Sequence, residues 1–109
     1  MSGSFAENLA TLAPVDDLAG IELTTPDGVV SVIENKAGSQ GSLRVYQYLL
    51  TSFGVIDAAA AEAGLALYAE HTQDARLHPG KHPNIDRLLA IAADDTCLSA
   101  RLLPARRDN

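Results

Sequence analysis

Two stretches carry the side chains whose types and spacing could do chemistry. The first is Lys36-Ala37-Gly38-Ser39-Gln40-Gly41-Ser42, with Arg44 just beyond it. A helical pattern begins near Ser42, so this loop delivers the chain into a helix start. Backbone N–H groups there lack intrahelical partners and attract anions. Gly38 and Gly41 let a ligand approach the backbone. Ser39 and Ser42 add hydroxyl donors, and Lys36 and Arg44 add charge. A phosphate or a carboxylate would suit such a loop. The spacing matches no nucleotide motif: two residues separate Gly38 from Gly41, and Ser42 follows where a P-loop has lysine. The competing reading is a plain turn, with Ser42 or Ser39 capping the helix.

The second stretch, His71 to Arg87, reads HTQDARLHPGKHPNIDR and holds all three histidines of the chain. Imidazoles and carboxylates are the usual ligands of zinc-like metals, so His71, His78 and His82 form a candidate metal set. His78 and His82 are four apart, but Pro79 and Pro83 follow them and push both towards extended backbone. They are not the paired histidines of a zinc hydrolase helix. The competing reading is a polar connector, with His78 at one helix end and His82 or Asn84 capping the next helix. Nucleophilic catalysis has little support. Cys97 falls in an expected strand as a small buried or half-buried residue, and no nucleophile elbow surrounds any serine. The residues specify no cofactor.

These stretches need elements to position them. Ser4 and Glu7 match a capping box, so Ser4 to Leu12 reads as a short helix ending before Pro14. Ile21–Thr25 and Val29–Glu34 read as a hairpin around Pro26-Asp27-Gly28. A two-residue turn would place Ile21, Leu23, Val30 and Val32 on one face. A three-residue turn with a glycine bulge suits the turn residues better and sets Leu23 beside Ser31. The hydrophobic pattern favours the first register and the turn chemistry the second. Leu43 to Phe53 is an amphipathic helix stopped by Gly54. Asp57 caps a long alanine-rich helix to about Leu77, with Ala60, Gly64, Leu67, Tyr68 and His71 on one face. His78-Pro79-Gly80 breaks it, and Pro83 opens another helix to about Ala93. Cys97 to Leu103 alternates as a last strand, which must pair with the hairpin to satisfy its backbone. The expected fold class is α+β: a small three-stranded, mostly antiparallel sheet, formed by the hairpin plus the C-terminal strand, packed against three or four helices in a single domain spanning 1–109.

Composition bounds the function. The chain has 109 residues, 47% of them apolar, and only five are aromatic. That is enough for one modest core built on close helix packing. A formal charge of −6 repels phosphate backbones and disfavours nucleic acid as a partner. A single cysteine fits a reducing compartment. The N-terminal residues lack a signal-peptide pattern, and no apolar run is long enough to span a membrane. A cytoplasmic protein with no membrane partner is expected.

The segments NKAGSQGSLRVYQYL, GLALYAEHTQDAR and HPGKHPNIDRLL together resemble a small family of uncharacterised proteobacterial proteins. The resemblance implies a bacterial, cytoplasmic, single-domain protein and assigns no activity. Two functions stand against each other. The leading expectation is a non-enzymatic binding or interaction protein, with a homodimer formed through the alanine-rich helix as one form of it. The rival is a small-molecule site, enzymatic or not, that joins the loop at Lys36 to Arg44 with the histidine segment in one cleft.

Overall fold

The computed structural model describes residues 3–105. In chain order the elements are α1 (Phe5–Leu9), β1 (Leu18–Thr24), β2 (Val30–Glu34), α2 (Gln40–Phe53), α3 (Ala58–Tyr68), α4 (Glu70–Leu77), α5 (Pro83–Asp94) and β3 (Ser99–Pro104). The strands form one antiparallel sheet in the order β2-β1-β3. The C-terminal strand therefore adds to β1, which becomes the central strand. The α+β class and the three-stranded sheet agree with the sequence pattern.

Turn chemistry, not hydrophobic pattern, sets the hairpin register. Leu23 stands opposite Ser31 and Ile21 opposite Ile33. The Thr25 hydroxyl donates to the Asp27 carboxylate and accepts the Val29 N–H, while Gly28 takes a φ of 90°. The hydrogen bond from Thr25 holds the Asp27 carboxyl below its ordinary pKa. This bonded loop forces the three-residue turn. Ile21, Leu23 and Ile33 then face the core, and Val30 and Val32 are turned outward with Glu22.

Helix α2 is the centre of the core. Leu43, Val45, Tyr46 and Leu49 are buried, and the helix packs on all three strands and on α3. Gly54 ends it in the left-handed conformation, φ 81°, as its position in the pattern requires. Asp57 caps α3 by accepting the Ala60 N–H at 2.9 Å. The small residues of α3 are used inside the chain. Gly64 lies so close to α2 and α5 that a Cβ there would stand 2.7 Å from Leu88 Cδ1 and 3.0 Å from Leu49 Cδ1. Ala60, Ala61, Leu65 and Tyr68 are buried with it, so the face that the sequence offered to a partner is covered by the protein's own helices.

Several expected boundaries differ: β1 begins at Leu18 rather than Ile21 and α2 at Gln40 rather than Leu43. The single helix from Asp57 to Leu77 is two helices, broken at Ala69. The first helix stops at Leu9, and beyond its end the Arg44 side chain takes the carbonyls of Leu9, Leu12 and Ala13. The last strand begins at Ser99. Before it, Leu98 makes an isolated bridge with Ile56 and Cys97 is exposed, not buried.

Gly20 lies on the central strand, where a β-bulge shifts its pairing with β3. A Cβ on this residue would stand 2.5 Å from the Ile33 carbonyl oxygen. That neighbour is ladder backbone and cannot move aside. Gly20→Ala should lose about 2 kcal/mol or more in urea unfolding; unchanged stability would show that β1 and β2 are not packed this closely.

Candidate functional site

The α3–α4 turn brings the two chemical stretches together. Ala69 adopts φ 54° and ψ −118°, a conformation that alanine rarely takes. The turn is held from several sides. Thr72 donates its N–H to the Ala69 carbonyl and its hydroxyl to the Leu65 carbonyl at 2.6 Å. Asn8 donates to the Leu67 carbonyl, and Glu70 accepts the Phe5 N–H at 2.9 Å. That last bond favours ionised Glu70 and lowers its pKa. Glu70 thus caps α1 in addition to the Ser4–Glu7 box, whose reciprocal bonds are both present.

A straight helix would have carried His71 along its own axis. The turn instead sets the ring against Phe5, edge to face with centroids 5.0 Å apart. Phe5 also stacks on Tyr68 at 5.2 Å. From α5's start, His82 returns to within 5.8 Å of the His71 ring. Tyr68 donates its hydroxyl to Ser42 Oγ at 2.6 Å, which ties the end of α3 to the start of α2. Burial is the main cause that raises the Tyr68 pKa, so it stays a neutral donor.

The result is a cleft of about 400 Å³ lined by Phe5, Leu9, Gly38, Gln40, Gly41, Ser42, Tyr68, His71 and His82. A smaller recess of about 140 Å³ also meets Gly38, Ser42 and His82 and adds Lys81, Pro83, Asn84 and Ile85. Of the loop candidates, Gly38, Gly41 and Ser42 reach the cleft. Ser39 does not cap α2: its hydroxyl donates to the Glu34 carbonyl at 2.7 Å. Lys36 pairs with Glu34 at 3.2 Å, both side chains exposed. Arg44 is committed to the end of α1, as above. The two cations expected at the loop are therefore directed elsewhere.

The histidine stretch is organised by Asp74. His82 Nε2 lies 2.6 Å from Asp74 Oδ2, Lys81 Nζ 2.9 Å from the same oxygen, and His78 Nε2 3.8 Å from Oδ1. The hydrogen bonds from His82 and Lys81 come first among the causes that hold the Asp74 carboxyl down at about 2. Of the three histidines, His71 and His82 face the cleft and His78 does not line it. Among the described residues, no three His, Cys, Asp or Glu side chains stand where they could hold one ion. The Lys81 ammonium also occupies the Asp74 oxygen that a metal would need.

Neighbouring contacts hold Asn84, which lines the smaller recess. The Tyr46 hydroxyl donates to the Asn84 carbonyl at 2.6 Å and accepts from Arg87 at 3.2 Å. Burial pushes its pKa up to about 12 against the pull of Arg87. Sequence spacing did not single out Phe5, Gln40 or Tyr68. Tyr68 did carry a signal, being a lone hydroxyl on an apolar helix face next to His71, but its partner lies 26 residues away.

An imidazole held by a carboxylate is an arrangement suited to proton transfer. A serine nucleophile needs more, and the bond that Ser42 makes is with Tyr68 rather than with a histidine. No helix among the described residues is long and apolar enough to cross a membrane.

A chain of this architecture is a small α+β protein with a cleft at a helix start. It belongs to an uncharacterised protein family conserved in bacteria, DUF2322, whose model matches residues 5–102. Comparison with curated proteins and with solved structures gives no match.

Two tests follow from this geometry. Strain at Ala69 should cost about 1–3 kcal/mol. Ala69→Gly gives back roughly half to one as unfolded-chain entropy, so a net gain of about 1 kcal/mol is expected in urea unfolding; a loss would mean that the turn is unstrained. The second test concerns Asp74. Its folded pKa lies below the ordinary 3.8, so its contribution is complete above the ordinary value and is lost as pH falls through about 2. The gap in melting temperature between wild type and Asp74→Asn should be open at about pH 5 and close by about pH 2. A gap of the same size at both would show that the ionised Asp74 carboxylate is not the source of the difference.

Proposed function

We propose that the protein binds a small anion, a phosphate or a carboxylate, in the cleft between the start of α2 and the α3–α4 turn. One observation carries the reading: Gly38, Gly41 and Ser42 share a single cleft with His71 and His82. The first-turn N–H groups of α2 have no side-chain cap, so they are available to a ligand oxygen. No acidic side chain is among the cleft's lining residues, and the two imidazoles supply positive charge when protonated. Phe5, Leu9 and Tyr68 form an apolar flank that strengthens charge interactions by excluding water.

This reading joins the two expectations from the sequence: a non-enzymatic binding protein whose ligand is a small molecule. A larger depression of about 750 Å³ runs along α3, α4 and α5. Its floor is Leu65, Ala75, Leu89 and Ala92, with Glu62, Asp86 and Arg76 at the rim. It brings two carboxylates against one cation and suits an anion poorly. A cytoplasmic, proteobacterial setting fits the reading, because phosphates and carboxylates are abundant metabolites there and the chain's single cysteine is at home in a reducing compartment.

The test is an amide chemical-shift titration of isotope-labelled protein with inorganic phosphate and, separately, acetate and citrate. Shifts should concentrate at Gly38, Gln40, Gly41 and Ser42. They should weaken in a His71→Ala/His82→Ala double variant and persist in Lys36→Ala. A ligand at 100 times its dissociation constant should also add about 2.7 kcal/mol of stability. Unmoved amides at these four positions with all three probes would overturn the proposal, as would undiminished binding in the double variant.

A further inference from the structure

We propose that β2 is the homodimer interface: two copies pair antiparallel along β2, about a two-fold axis at Ser31, to make one continuous six-stranded sheet. The backbone directions follow from the hydrogen bonds at both ends of the hairpin. Thr25 N–H donates to the Val29 carbonyl, and Asn35 N–H to the Ala19 carbonyl. In an antiparallel ladder the directions alternate. Val29, Ser31 and Ile33 therefore point their backbone groups at β1, and Val30 and Val32 point theirs outward. Strand β2 is at the edge of the sheet, so those outward groups have no strand partner among the described residues.

The apolar surface follows the same edge. Val29, Val30 and Val32 are 60%, 55% and 46% exposed, three of the six exposed large apolar side chains among the described residues. On the outer face the central strand presents Glu22, paired with Arg101 of β3 at 3.3 Å. A partner stacked over that face would meet an ion pair. A partner strand added at the edge meets valines and unpaired amides.

The edge is complementary to itself. With the axis at Ser31, Val30 of one copy stands opposite Val32 of the other, and reciprocally. Their N–H and C=O groups pair, and the four side chains form one apolar patch on the outer face. Val29 falls opposite Ile33 of the second copy. An axis at Val32 would instead set Val30 against the Glu34 carboxylate. It would also call on the Glu34 carbonyl, which already accepts from Ser39 and from the Lys36 N–H. The Ser31 axis needs neither.

The test is mass measurement by light scattering on a sizing column, loaded at about 100 μM, where a micromolar interface is nearly all assembled. Wild type should elute at twice the chain mass. Val32→Pro removes an outward N–H at an edge position that tolerates proline and Val30→Lys places a charge in the valine patch, so both should elute as folded monomers. Crosslinking tests the axis. In a Cys97→Ser background, Ser31→Cys places two α-carbons about 4.5 Å apart across the axis, within disulfide range. It should oxidise to a covalent dimer, and Val32→Cys should do so far more slowly. A monomeric wild type overturns the proposal, including one whose β2 accepts a foreign peptide strand. So does a dimer that survives both edge variants, or equal crosslinking at the two cysteine positions. Neither result bears on the anion cleft, which is built from residues outside β2.

Discussion

The reversal at Ala69 is the constraint on which the rest of the arrangement depends. Without it, Tyr68 and His71 would lie along one straight rod, and the polar half of that rod would run on away from α2. With it, Tyr68 remains in the core and bonds to Ser42, while His71 folds back onto Phe5. The turn is expensive, since alanine is held at a positive φ. It persists because Thr72 and Asn8 satisfy the carbonyls that the break would leave exposed, and Glu70 ties the turn to the Phe5 N–H of α1. Strain compensated by a ring of specific bonds, directly beside the cleft, is a common arrangement at binding sites. Helix α1 is as much a product of this turn as a support for it, because two of its bonds come from Leu67 and Glu70.

Much of the fold was legible in the sequence because local chemistry and tertiary packing agree there. The capping box at Ser4, the Asp57 cap, the Gly54 stop and Pro83 in the first turn of α5 each appear where their residues place them. The break at Ala69 was not legible. Alanine is the best helix former, and no glycine or proline marks the spot. The signal is dispersed over Asn8, Leu65 and Thr72, which meet only in the folded chain. The hairpin shows two local rules in conflict. Alternating valines argued for one register and Thr25-Pro26-Asp27-Gly28 for the other. The turn prevailed because its hydroxyl and carboxylate bonds are specific, whereas the core loses little: Ile33 takes the buried place that Val32 would have filled.

The candidate cleft was legible in its parts, but the direction of the charged side chains beside it was not. Spacing correctly suggested that the Gly38–Ser42 loop leads into a helix and that histidines gather after Glu70. It could not show that Lys36 and Arg44 serve structural ends. Arg44 is held by three carbonyls at the end of α1, a site created by the helix that stops short. Lysine and arginine beside a glycine-rich loop look like anion ligands in any linear reading. Long side chains are free to turn away, and here a cluster of unsatisfied carbonyls and an adjacent carboxylate are the nearer partners.

That diversion changes the physical character of the site. Lys81 is held by Asp74, Arg87 by Asn84 and Tyr46, and Arg101 by Glu22. A protein with a formal charge of −6 would thus meet an anion with little fixed positive charge at the cleft itself. What remains is of two kinds. The uncapped amides of α2 carry a constant partial charge that does not titrate and is local to the first turn. His71 and His82 carry a full charge only when protonated. Asp74 lies behind His82, bonded to its ring nitrogen, and does not offer its carboxylate to the cleft. A site built in this way would discriminate by geometry at the amides and by proton at the histidines. It would hold anions reversibly rather than tightly, since neither term matches a fixed arginine fork.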